Sequence, residues 1–192
     1  GRCVTVKDMA ALFGQAVGGR GWYAPPDTRA LITKQPGVVR FLEPGAYRMM
    51  YGVARMSKNG TGISGDNYTY SGSLPGQVIM SLSDGMGSGA AADQESRKVI
   101  ELLQQLLETG FSARSALKMV NTILMLTGTE QHPATLDLCC VDLCSGVLEA
   151  MKMGAVATFV LSNGQAEILD AGNLPAGVLS QAEPALLSRK LW

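Results

Sequence analysis

Residues 64–89 constrain this chain more than any other stretch. They open with Ser-Gly-Asp-Asn-Tyr and close with Ser-Asp-Gly-Met-Gly-Ser-Gly, so Asp66 and Asp84 each stand beside a glycine. Between them, residues 77–82 (Gln-Val-Ile-Met-Ser-Leu) form a short apolar run that reads as a buried strand. Asp84 therefore falls where that strand ends, and Asp66 where a neighbouring extended segment begins. A carboxylate followed by glycines suits a hard cation, because the aspartate supplies charge and glycine lets a carbonyl or a phosphate come close. Either aspartate alone is better explained as a turn residue, Asp-Gly being a common turn dipeptide. As a pair flanking one strand they point to a metal.

The rest of the chain frames that pair. Its 192 residues suffice for one domain with a sizeable core, and 46% hydrophobic with 17% charged residues marks a folded protein. Sixteen basic and sixteen acidic residues cancel, and no basic run offers a nucleic-acid or membrane footprint. Cys3, Cys139, Cys140 and Cys144 lack a metal-ligand spacing; Cys139 and Cys140 are strand neighbours pointing to opposite faces, and all read as buried, reduced thiols of a cytosolic protein. No apolar run reaches the roughly 18 residues of a spanning helix. The expectation is a soluble piece of a longer protein.

In chain order, residues 5–17 carry helical apolar spacing, with Thr5 and Asp8 as a capping box and Gly18-Gly19 as a stop. Residues 18–45 are a proline-marked connector. This places a helix and linker at 1–44 and the main domain at 45–192. Residues 47–56 are mostly apolar and predict a central strand, followed by a glycine-rich turn at 57–62 and further strands at 67–71 and 77–84. A helix is expected over 88–109, buried through Ala92, Val99, Leu102, Leu103, Leu106 and Leu107 and stopped by Gly110. A second, capped by Ser112, buries Leu117, Val120, Ile123, Leu124 and Leu126. Strands follow at 135–142, 147–153, 155–162 and 166–169, with Asn163-Gly164 as a two-residue hairpin signal. Residues 173–177 are a loop, and 183–192 begin an element left unfinished. Strands, a helix pair, then strands predict an α+β layered fold with mostly antiparallel sheets.

Four segments carry a resemblance. Ser64-Gly65-Asp66-Asn67-Tyr68, Ser83-Asp84-Gly85-Met86-Gly87-Ser88-Gly89, Ala134-Thr135-Leu136-Asp137-Leu138 and Leu174-Pro175-Ala176-Gly177 follow one another as in the bacterial sporulation-type PPM serine/threonine phosphatases. The chain resembles the stage II sporulation protein E branch over residues 45–177. The resemblance implies an α-β-β-α sandwich with two divalent cations, Mn2+ or Mg2+, between the sheets. It also implies hydrolysis of a phosphoserine or phosphothreonine on a phosphorylated anti-sigma-factor antagonist. By the family's pattern Asp66 and Asp84 are catalytic metal ligands, and the Gly85 carbonyl completes one shell. Such oxygen ligands suit hard cations, which lower the pKa of a bound water and neutralise phosphoryl charge. Residues 88–126 become a regulatory element beside their packing role, and self-association through residues 5–17 stands beside packing of that helix on its own domain. The implied location is cytoplasmic, as part of a membrane-anchored parent, without nucleic-acid or membrane contact by these residues.

The family's remaining metal aspartates belong to a late segment that does not occur within these 192 residues, so a domain truncated at its C-terminus is expected. Asp137 reads as structural or as support behind the ligands, and Asp142 as a turn cap. His132, Arg55 and Lys58 read first as surface or strand-end groups, although Arg55 and Lys58 lie near enough to the Asp66 turn to approach a phosphate. The competing expectation is a non-catalytic interaction module of the same fold.

Overall fold

The computed structural model describes residues 4–19, 21–25, 28, 31–32, 34–56, 63–72, 76–87, 89–127 and 133–191. Cys3, Lys58, the 57–62 turn, Ser88 and His132 lie outside the described residues. The first helix, α1 (Val6–Val17), begins at the expected capping box: Asp8 N–H donates to the Thr5 hydroxyl, and the Asp8 carboxylate accepts from Thr5 N–H. Phe13 of α1 packs edge-on against Trp22 and stacks with Phe41, so the connector folds back on the helix.

Strands β1 (Asp66–Ser71) and β2 (Gln77–Asp84) precede helices α2 (Ala90–Glu108) and α3 (Ala113–Thr127). Then come β3 (Leu136–Asp142), β4 (Val147–Met153), β5 (Thr158–Ser162), β6 (Gln165–Leu169) and β7 (Ala185–Lys190). Five strands form one antiparallel sheet in the order β1-β2-β3-β4-β7, and β5-β6 form a second, two-stranded sheet. Strand alternation gives the larger sheet two apolar faces. One carries Ile79, Leu136, Leu138, Met151 and Met153, and takes Val99, Leu103 and Leu107 of α2 with Leu117 and Val120 of α3. The other carries Cys139, Val141, Leu148 and Ala150, and takes Leu169 of β6 with Val160 of β5. Cys139 and Cys140 do fall on opposite faces, as free thiols, whereas Cys144, expected to be buried, is exposed because it lies in the β3–β4 turn. Burial pushes Cys139 and Cys140 up to about 12 and about 11, which keeps both protonated.

Local chemistry sets the turns. The α2–α3 join uses Gly110 at φ +95°, where glycine avoids the left-handed penalty, and Ser112 accepts the Ser115 N–H to start α3. Asn163 (φ 51°) and Gly164 (φ 76°) supply the two positive φ values that the β5–β6 turn needs.

Three further expectations fail. Residues 47–56 form no strand. The segment lies across the second sheet face instead of joining an edge: Met49 packs into that cluster, Tyr51 stacks on Tyr70 of β1 at 3.7 Å, and Met50 and Met56 are each 90% exposed. An apolar run reports that side chains are wanted by a core, but not that its backbone finds a ladder. Leu126 is 79% exposed, because nine residues after buried Leu117 it falls on the opposite side of α3. Residues 185–190, in turn, are a finished strand; β7 pairs with β4 from Ala185↔Lys152 to Val147↔Lys190 and closes that edge.

Candidate metal centre

Asp66 and Asp84 face each other directly, as the terminal pair of the β1–β2 ladder. Residues opposite in register share a sheet face, so both carboxylates leave the sheet on the same side. Partial burial raises the Asp84 pKa above the ordinary carboxylate value, and the charge and hydrogen bond of Asp66 push it further up. Two carboxylates held this close repel unless a proton or a cation lies between them. Ser64 donates its hydroxyl to Asp66 Oδ2 at 2.8 Å and orients that carboxylate.

The backbone of Asp84 is fixed at both ends. Its N–H donates to the Thr135 side-chain oxygen at 2.9 Å, and its carbonyl accepts from Thr135 N–H at 3.0 Å. One threonine thus replaces a ladder carbonyl with its hydroxyl and lets β2 peel away into Gly85. Gly85 N–H then donates to Gly65 O at 3.1 Å, which ties the two aspartate turns together. A Cβ on Gly85 would stand 2.3 Å from the Ala92 carbonyl oxygen, and one on Gly65 would stand 3.2 Å from the Ala92 Cβ. Gly85 is required because the first turn of α2 rests on this backbone, and Gly65 makes a tight fit beside it.

That turn is held by polar contacts that the sequence did not reveal. Buried Asn67, one residue after Asp66, directs Nδ2 to Asp93 O (2.9 Å), Asp93 Oδ1 (3.1 Å) and Ser96 Oγ (2.8 Å). Ser96 Oγ reaches back to Gly65 O. Arg55 donates to Asp93 Oδ1 at 2.8 Å and to Ser64 O, and Arg97 adds a further ion pair. These donors, Arg55 first, hold the Asp93 carboxyl down at about 2. Arg55 therefore stands beside the site with its guanidinium engaged by protein. The signal that could have found this network is the polar character of Asn67 and Ser96 at inward positions of β1 and α2.

The other candidates separate from the pair. Asp137 shares the face of Asp84 but binds the buried Lys152 ammonium at 2.5 Å and the Thr158 hydroxyl at 2.9 Å. Asp142 accepts from Cys144 N–H (2.8 Å) and Ser145 N–H (2.7 Å), which caps the β3–β4 turn and lowers its pKa. Among the described residues no group of three or more His, Cys, Asp or Glu side chains converges. The two facing carboxylates and the close-packed Gly85 fit hard divalent cations as part of a ligand set.

Comparison with known proteins places the fold in a family. The family model described as stage II sporulation protein E (SpoIIE) matches residues 75–191. Stage II sporulation protein E of Bacillus subtilis (strain 168) is 34% identical over 153 residues, which are 80% of this chain and 18% of that protein. The protein of the same name from Priestia megaterium is 33% identical over 146 residues, 76% of this chain and 25% of that one. The chain thus spans a quarter or less of these relatives. The solved structure of the PP2C phosphatase domain and a fragment of the regulatory domain of SpoIIE from B. subtilis superimposes with a TM-score of 0.76 at 28% identity. It covers 99% of this chain, and this chain covers 57% of it. Its fold is the α/β fold with mostly antiparallel sheets described above.

Proposed function

The chain belongs to the stage II sporulation protein E family, and from that premise we propose that it supplies one part of a metal-dependent protein serine/threonine phosphatase centre. A PP2C-like phosphatase domain is the coarse identity. The finer reading is hydrolysis of phosphoserine or phosphothreonine on a phosphorylated anti-sigma-factor antagonist, in control of a sporulation sigma factor. The observation that carries it is the Asp66–Asp84 pair, two carboxylates on one sheet face whose repulsion a cation would relieve.

In this reading Asp66, Asp84 and the Gly85 carbonyl hold manganese or magnesium. The bound metal supplies an acidified water and neutralises phosphoryl charge. The chain's own work is positional. Ser64 orients the Asp66 carboxylate, Thr135 fixes the Asp84 backbone, and Gly65 and Gly85 let the first turn of α2 pack against the two aspartate turns. Among the described residues no helix is long and apolar enough to cross a membrane. Cytoplasmic action beside an anchored parent is part of the proposal.

The test is manganese- or magnesium-dependent release of phosphate from a phosphoserine protein by the full-length protein. Asp84→Asn should abolish it, a loss of at least about 100-fold in kcat, the size typical of removing one preorganised charge-stabilising group. Unchanged turnover in Asp84→Asn would sink the reading. A second reading, a non-catalytic interaction or self-associating module of the same fold, draws on the absence of a third converging carboxylate among the described residues. It requires that wild-type full-length protein take up no manganese in calorimetry.

A further inference from the structure

The Leu-Pro-Ala-Gly stretch has no part in the chemistry above, yet its backbone reaches the centre from behind. Ala134 and Ala176 exchange both backbone hydrogen bonds, at 3.1 and 3.0 Å, and neither has any exposed surface. Ala134 also bridges Gly85. Three backbones, at Ala176, Ala134 and Gly85, thus lie side by side, with the metal-facing one at the edge. What holds the outermost is Asn121 of α3. This residue is 1% exposed; its Oδ1 accepts from Gly177 N–H at 2.8 Å and its Nδ2 donates to Leu179 O at 2.9 Å. Gly177 adopts φ +86°, and a Cβ there would stand 3.2 Å from the Leu124 Cβ, so only glycine lets this backbone come up to the asparagine.

We propose that Asn121 is a positioning residue for the metal centre. It fixes residues 176–179, they fix Ala134, and Ala134 sets the adjoining Thr135, whose N–H and hydroxyl oxygen hold the backbone of Asp84 where it leads into Gly85. The proposal rests on Asp84 and Gly85 being metal ligands. A buried amide costs free energy unless both its ends are paired. At this position, on the helix face that also buries Leu117 and Val120, an aliphatic residue would pack without that cost. The amide is therefore explained by the loop it grips. Metal ligands must sit within about 0.2 Å of their preferred distances, so a small shift of the Ala134 backbone, carried through Thr135 to Asp84, is felt at the ligands.

The experiment uses the full-length protein, with Mn2+ binding followed by calorimetry and amide exchange followed by mass spectrometry. Asn121→Ala should weaken Mn2+ binding about 10- to 100-fold, the range for residues that support ligands. Turnover at saturating manganese should be retained, and amides around 134 and 176 should exchange faster while β2–β3 stays protected. Asn121→Asp keeps the acceptor for Gly177 and loses the donor to Leu179; a smaller shift of the same sign is expected, and it serves if the alanine variant does not fold. Val120→Ala, a loss of packing on the same helix, should leave Mn2+ affinity unchanged. Wild-type affinity in both Asn121 variants, or an equal loss in Val120→Ala, overturns the proposal. Asp84→Asn separates the two levels: wild-type Mn2+ binding in that variant refutes the metal site itself, whatever Asn121 does.

Discussion

Lys152 has no exposed side-chain surface, and its ammonium donates to Asp137 Oδ2, Val156 O and the Thr158 hydroxyl at 2.5, 2.8 and 2.7 Å. All three of its donor positions are used, which offsets the cost of burying this side chain between two sheets. Removing one partner leaves the other buried and uncompensated. Lys152→Met should therefore destabilise the protein by about 3–5 kcal/mol in urea unfolding, and adding Asp137→Leu should recover most of that loss. The contrast with Asp66 and Asp84 shows what a sequence reveals at this scale. Those two announce themselves through their own glycine neighbours, which are local. Asp137 and Lys152 are joined only by register, as facing residues of β3 and β4, and neither has a neighbour that marks it. Asn121 is hidden for the same reason, since its partners lie more than fifty positions away.

Among the elements, α2 shows how far periodicity reaches. Its buried side was legible because Val99, Leu103 and Leu107 recur at helical spacing, and the sheet below is apolar there. Near its start Ala92 was legible as buried but Ser96 was not, because Ser96 meets a glycine carbonyl and polar groups instead of an apolar surface. Asp93 anchors the first turn through Arg55, Asn67 and Arg97. Its pKa in the folded protein, about 2, lies below the ordinary 3.8, so the unfolded chain binds that proton more readily. The stabilisation is complete above the ordinary value and is lost as pH falls from there towards about 2. Thermal unfolding measured across that window should show the acid limb, and Asp93→Asn should flatten it while lowering Tm at neutral pH. Residues 47–56 teach the opposite lesson. Their apolar character was visible and their role as a covering strap was not, because covering a face and joining an edge draw on the same residues.

At the scale of the whole molecule, element order predicted helices packed on mostly antiparallel sheets, and the structure adds which face each takes: the helices one face of the main sheet and the β5–β6 hairpin the other. The closing edge strand β7 escaped because Ala-Leu-Leu-Ser-Arg-Lys alternates weakly and had no turn signal tying it to β4. The placing of the aspartates has one more consequence. They close one end of the β1–β2 ladder, and the turn that joins those strands lies beyond the other end, past the Ser71–Ile79 pair. Five rungs at about 3.4 Å put that turn about 17 Å away. The separation of the two carboxylates is thus a property of the sheet and not of the intervening chain. A peptide epitope spliced into the turn should leave Mn2+ affinity at its wild-type value by calorimetry. The same inserted length next to Gly65 should abolish it. The hairpin is thus tolerant of length at its turn and exacting at its aspartate end.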